Sequence, residues 1–131
     1  MKRVHDFLKE AKTYYLATTE GGQPRVRPFG TIAIFEDKLY IQTGKIKNVS
    51  RQMQENPKVE LCAMLGNEWI RVAAEVVRDD RLEPKLHMLE VFPELKAMYD
   101  PTDDITETLY LKNATATIYG FGTEPAEIKF G

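Results

Sequence analysis

Residues 39–53 read LYIQTGKIKNVSRQM. An apolar run of strand character stops at Thr43-Gly44, and Lys47 follows three residues later. Ile46, Val49 and Met53 then share one face, which predicts a short helix from about residue 46 to about 55, stopped by Asn56-Pro57. A strand-to-helix junction of this kind suits an anion, because the first amides of a helix lack internal acceptors and its dipole favours negative charge. It also suits an ordinary turn. Lys47 tips the balance, since a cation in the first turn opposes the dipole unless an anion is present.

Outward from this junction the chain reads as strands punctuated by turns. Val4, Phe7, Leu8 and Ala11 fall at helical spacing, so residues 2–12 are expected to form an amphipathic helix. YYLATTE is a strand, turned at Gly21-Gly22 into a long second strand, PRVRPFGTIAIF. EDK turns that strand into LYIQT, and KVELCAML and EWIRVAAEVV pair across Gly66-Asn67. Residues 82–99 hold one or two helices, with Pro93 placed to start the second. TLYLKNATATIYGF supplies a last strand pair meeting at Asn113, before a polar tail. The expected fold is mainly β with peripheral helices: about six antiparallel strands in a closed or nearly closed barrel, one domain over residues 1–131.

Alternation assigns faces. Val26, Ile32 and Ile34 share one side of the second strand, and Arg25, Arg27 and Phe29 the other. Ile70, Val72, Ala74 and Val76 oppose Trp69 and Arg71; Ala114, Ala116 and Ile118 oppose Thr115, Thr117, Tyr119 and Phe121. The aliphatic sets fill a narrow barrel, and the others form an outward face of aromatics and arginines. A lone subunit would expose that face, which calls for a partner or ligand. Guanidinium groups grip phosphate bidentately, the Thr43 hydroxyl and Gly44 backbone can approach it, and flat rings suit a heterocycle. The ligand implied is planar and phosphorylated. Against this stand plainer roles: solvated lysine for Lys47, core or interface packing for Trp69, and cross-strand ion pairing for Arg25 and Arg27.

Composition narrows the classes. Apolar residues make up 43% and charged residues 29%, with 18 cations against 20 anions giving −2, so a broad basic field for nucleic acid is absent. One cysteine and two histidines cannot build a zinc site; Cys62 is expected to be a buried, inert thiol, and His5 and His87 lack ligand partners at useful spacing. YDPTDDITE lacks the residue order of a calcium loop and reads as a solvated one. No run has the length of a membrane span, and MKRVHDFLKEAKTYY lacks the apolar core of a signal peptide, which leaves the cytoplasm as the expected location.

GQPRVRPFGTIAIFEDKLYIQTGKIKNVSRQMQENPKVEL, followed by EWIRVAAEV, resembles the flavin-binding split barrels related to pyridoxamine 5′-phosphate oxidase. More narrowly it is similar to the nitroimidazole-resistance-type branch. The resemblance runs from the first helix to YLKNATATIYGF and rests on the order and spacing of the segments. It implies FMN bound at a homodimer interface. Arg25, Arg27, Pro28 and Phe29 would run along the isoalloxazine ring, and Thr43, Lys47 and Asn48 would form the phosphate turn. Trp69 and Arg71 would line the site from one subunit or the other.

One departure stands out. The oxidases carry a longer C-terminal segment that holds the substrate phosphate, whereas this chain offers only GTEPAEIKFG. The resemblance therefore implies a flavin reductase or oxidoreductase passing electrons between small molecules, without efficient oxidation of pyridoxamine 5′-phosphate. No catalytic acid or base is identified. The alternatives are a non-catalytic flavin-binding module, or the same fold holding a deazaflavin or haem.

Overall fold

The computed structural model describes all residues, 1–131. In chain order the elements are α1 (Lys2–Ala11), β1 (Tyr14–Glu20), β2 (Gln23–Phe29), β3 (Ala33–Phe35), β4 (Lys38–Gly44), α2 (Asn48–Glu55), β5 (Lys58–Leu65), β6 (Glu68–Arg78), α3 (Leu82–Val91), a 3-10 turn (Pro93–Ala97), β7 (Thr106–Gly120) and β8 (Ala126–Phe130). One eight-stranded antiparallel sheet runs β2-β1-β5-β6-β7-β4-β3, with β8 also on β7. Its end strands, β2 and β3, are consecutive in the chain but unpaired with each other, so the sheet curls into a split barrel. Strand faces explain the curl. Leu16, Leu61, Ile70, Val72, Ala116 and Ile118 are almost wholly buried in one cluster, and α1 adds Val4, Phe7 and Leu8.

The turns follow their residues. Gly21 and Gly22 take φ of 56° and 87° between β1 and β2. Glu36 and Asp37 take 49° and 58° between β3 and β4, the doubly left-handed pattern of a tight hairpin. No helix is long and apolar enough to cross a membrane.

The strand count exceeds the sequence reading by two adjustments. The long second strand breaks at Gly30-Thr31: β2 pairs with β1, whereas β3 pairs with β4. The tail is not a polar appendage but β8, which pairs with residues 114–118 of β7 beyond the stretch, 106–110, that β4 occupies. Conversely, the expected pair meeting at Asn113 is the single strand β7. Leu109 and Leu111 are buried before Asn113, and Ala114, Ala116 and Ile118 after it, so the inward parity switches. An irregularity opposite Ala73 to Glu75 and a φ of 51° at Asn113 produce the switch: one extra residue in a bulge, not a hairpin turn.

The face assignment of β2 is also corrected. Val26 is 67% exposed, whereas Phe29 packs on the core and Arg27 opposes buried Leu16. Arg25, Arg27 and Phe29 therefore face the barrel side, and Val26 and Pro28 face outward. At this sheet edge the barrel side meets α2, not aliphatic core, which is why arginines are accommodated there. Cys62 is likewise not buried inside; it is half-buried on the outer face, directly opposite Arg71.

Candidate functional site at the split of the barrel

The junction at residues 43–48 is built as an anion would require. Lys47 is the residue before α2, with extended backbone (φ −82°, ψ 151°), and no side chain caps the helix. No acidic residue lies in its first turn. The Ser50 amide bonds the Lys47 carbonyl at 3.1 Å, but those of Asn48 and Val49 find no backbone acceptor. Two lysines near the turn have separate fates. Lys45 donates to Asp80 and Asp104, at 3.0 and 2.7 Å, and these carboxylates, Asp104 foremost, raise its pKa. Lys47 is exposed and has no carboxylate partner. Its charge is the one left free.

A groove of about 460 Å³ leads away from Lys47 and Asn48 between β2 and α2, lined by Arg25, Arg27, Gln52 and Glu20. Arg27 is fixed by bonds to the Leu16 carbonyl, Thr18 Oγ1 and Gln52 Oε1 at 3.1, 2.8 and 2.6 Å. No carboxylate touches it, and partial burial lowers its pKa ahead of repulsion from Arg25. Arg25 and Arg51 both pair with Glu20, at 3.2 and 2.7 Å. Arg51, then Gln52 and Arg25, hold that carboxyl below its ordinary range. Four cations thus surround one carboxylate, and a phosphate would lessen the imbalance.

The groove continues at Lys47 into a narrower chamber of about 150 Å³, walled by Pro28, Phe29, Thr31, Gln42 and Thr43. Leu95, Met98 and Tyr99, from the 3-10 turn and the residues after it, form its other wall. The seam is fastened by side chains. Tyr14 Oη donates to the Thr31 carbonyl at 2.6 Å, and the Gln42 amide N–H donates to Thr31 Oγ1 at 3.2 Å. Burial pushes the Tyr14 hydroxyl far above its ordinary pKa, so it stays a donor. Beyond Thr31 and Leu95 the space opens into a chamber of about 470 Å³ beside Lys9, Lys12 and Phe92.

Of the residues singled out in the sequence, Arg25, Arg27, Pro28, Phe29, Thr43, Lys47 and Asn48 line this continuous groove. Trp69 and Arg71 do not. They lie on the outer face, in a row running Pro28–Tyr15–Cys62–Arg71 across β2, β1, β5 and β6. Three strand spacings put Arg71 about 14 Å from Pro28. There Trp69 stacks on Tyr119, with centroids 4.2 Å apart, and Arg71 donates to Tyr119 Oη at 3.0 Å. Gln42, Thr31 and Gln52 were not singled out. Gln42 alone left a signal, a polar residue inside the apolar run LYIQT.

Residues 1–106 match the protein family described as Pyridoxamine 5′-phosphate oxidase. A crystal structure of a NimC/NimA family protein from Clostridium acetobutylicum is 46% identical, with a TM-score of 0.97 over 99% of this chain and 92% of that one. General Stress Protein 26 from Bacillus anthracis shares the fold at 16% identity, with a TM-score of 0.75 over 98% of each chain. So does a pyridoxamine 5′-phosphate oxidase-related, FMN binding protein from Nostoc punctiforme, at 17% identity and a TM-score of 0.64 over 98% of this chain and 92% of that one. No curated protein matches the chain. A family match over most of the length, with a solved relative at nearly half identity, places this chain in the pyridoxamine 5′-phosphate oxidase family, beside its NimC/NimA members.

Proposed function

We propose that the chain is an FMN-binding oxidoreductase, assembled as a homodimer, that reduces small electron-poor molecules such as nitroaromatics or quinones. The observation that carries this reading is the unpaired Lys47 at an uncapped helix start, at the meeting point of a basic groove and a flat-walled seam. The residues fit the group. Lys47 and the amides of Asn48 and Val49 would hold the phosphate, with Arg25 and Arg27 supplying positive potential. Pro28 to Thr31 would offer backbone to the ring, and Thr43 its hydroxyl. One anion site without a second Gly-rich phosphate loop favours FMN over a dinucleotide.

When bound, the flavin would carry the hydride or electron chemistry. The chain's own contribution is binding and shielding: Leu95, Met98 and Tyr99 exclude water from one side of the seam, and Arg27 stays charged without a protein counter-ion. Neither His5 nor His87 lines the groove, which leaves a haem without an axial histidine from this chain.

A dimer follows from the outer face. Tyr15, Val26, Met64 and Phe121 are 50%, 67%, 69% and 95% exposed there, beside the Trp69–Tyr119 stack. Such a patch calls for a cover, and a second copy would bring a partner's stack toward the groove that its own chain keeps it from. Pyridoxamine 5′-phosphate is disfavoured as substrate because β8 brings no cation to the groove. Its lysine, Lys129, is 75% exposed near Glu127, away from the groove.

The test of catalysis is steady-state turnover of a nitroaromatic or quinone acceptor by FMN-loaded protein with NAD(P)H. Sustained turnover is expected. Tight FMN binding without turnover would leave a non-catalytic flavin module instead.

A further inference from the structure

Gln42 is the one buried side chain near the groove whose polar capacity is wholly unused. It is 6% exposed, on β4, and neither Oε1 nor Nε2 has a hydrogen-bond partner. Buried amides are almost always paired, because an orphaned donor or acceptor loses its water without recompense. Its backbone is fully engaged, donating to Thr31 Oγ1 and lying in the β4–β7 ladder opposite Thr108. The side chain is therefore held in place in the wall of the narrow chamber, beside Thr31 and Thr43, with both amide atoms buried. Neighbouring polar groups do not answer it: Tyr14 Oη is committed to the Thr31 carbonyl, and Thr108 Oγ1 to the Asp79 carbonyl at 2.6 Å.

We propose that Gln42 is a specificity-determining residue that reads a cyclic amide or imide edge, an N–H next to a C=O, on the heterocycle bound in this chamber. A primary amide presents one acceptor and two donors side by side, so it matches such an edge with two parallel hydrogen bonds. Flat-walled space beside Phe29 and Pro28 suits the ring that bears the edge. The inference rests on the cofactor reading above and deepens it: the pyrimidine end of a flavin carries an edge of this kind, and a haem does not. Lys47 would then select the phosphate and Gln42 the ring.

The experiment compares FMN with N3-methyl-FMN, which lacks the imide N–H, on the wild-type dimer and on Gln42→Met, a substitution of similar length that cannot form the pair. Wild-type protein should bind the methylated flavin about ten-fold more weakly. In Gln42→Met, FMN itself should weaken about ten-fold and the discrimination between the two flavins should vanish. Without ligand the variant should melt no lower than wild type, because it removes two orphaned polar atoms from a buried site. A wild-type protein that binds both flavins equally overturns the proposal, whether or not the variant folds. So does a variant that retains full FMN affinity and full discrimination, which would mean that water answers the Gln42 amide. Failure of wild-type protein to bind FMN at all would instead remove the cofactor reading.

Discussion

Replacing Lys47 by alanine should separate two flavins that differ by one phosphate. The ammonium is exposed and lacks a protein partner, so its removal breaks nothing in the ligand-free chain. Charge-assisted hydrogen bonds contribute about 1.5–3 kcal/mol, and solvent exposure here argues for the lower end. FMN affinity should therefore fall about ten-fold. The amides of Asn48 and Val49 remain and keep the loss from being complete. Riboflavin should bind the variant as it binds wild type, so the FMN preference shrinks by the same factor. An opposite sign is expected in stability. A cation at a helix start costs roughly 0.3–1 kcal/mol, so ligand-free Lys47→Ala should melt about 1–4 °C higher. Lys47→Asp, which adds a cap and an anion, should gain more stability while losing most FMN binding. Fluorescence titration of both flavins, at two salt concentrations, measures all of this. Equal losses for FMN and riboflavin would refute the placement of the phosphate at α2.

Other expectations are more compact. Light scattering at micromolar concentration should give a dimer, with an interface of about 2,000 Å² or more covering the outer face; Met64→Glu with Phe121→Glu should give monomers with weakened FMN binding, and a stable, flavin-loaded wild-type monomer would contradict this. FMN-loaded protein should not convert pyridoxamine 5′-phosphate to the aldehyde under oxygen at a rate typical of enzymes, about 1 per second or faster; such turnover would expose an anchor not visible in β8. Asp79, bound by Arg81 and Tyr40, has its pKa lowered from 3.8 to about 2. A lowered carboxylate contributes stability that is full above its unfolded value and lost as pH falls through the folded one, here from about 4 to about 2 and worth about 2 kcal/mol. Acid unfolding of Asp79→Asn should lack that part of the slope, and an unchanged slope would show that Asp79 is not held down.

Where the sequence was informative, periodicity had only one physical solution. Ile70, Val72, Ala74 and Val76 alternate with Arg71, Ala73 and Glu75, and their faces are as read. The strand-to-helix junction was legible because Thr43-Gly44 ends one period and Val49 and Met53 begin another. Edge strands resist such reading. Val26 is apolar yet outward, and Arg27 is charged yet faces the barrel side, because at the split that side meets Gln52 and Thr18 of the groove instead of core. The mostly polar AEIKF looks like a tail for a related reason: an edge strand exposes much of its surface. Asn113 suits a left-handed backbone in a turn and in a bulge alike, so its residue type could not tell a hairpin from a bent strand. Gln42 left only a faint signal, one polar residue inside the apolar run LYIQT. A glutamine in a strand is ordinary until the neighbours show that nothing bonds it.

The cofactor itself is the claim on which the rest depends, and it is tested by the pigment that the protein holds. Purified protein, saturated with added FMN if necessary and freed of excess by gel filtration, should be yellow and should release FMN, not FAD, on heat denaturation. A colourless protein that binds no added FMN would contradict the account, and release of a haem or a deazaflavin would replace its chemistry while leaving the fold in place.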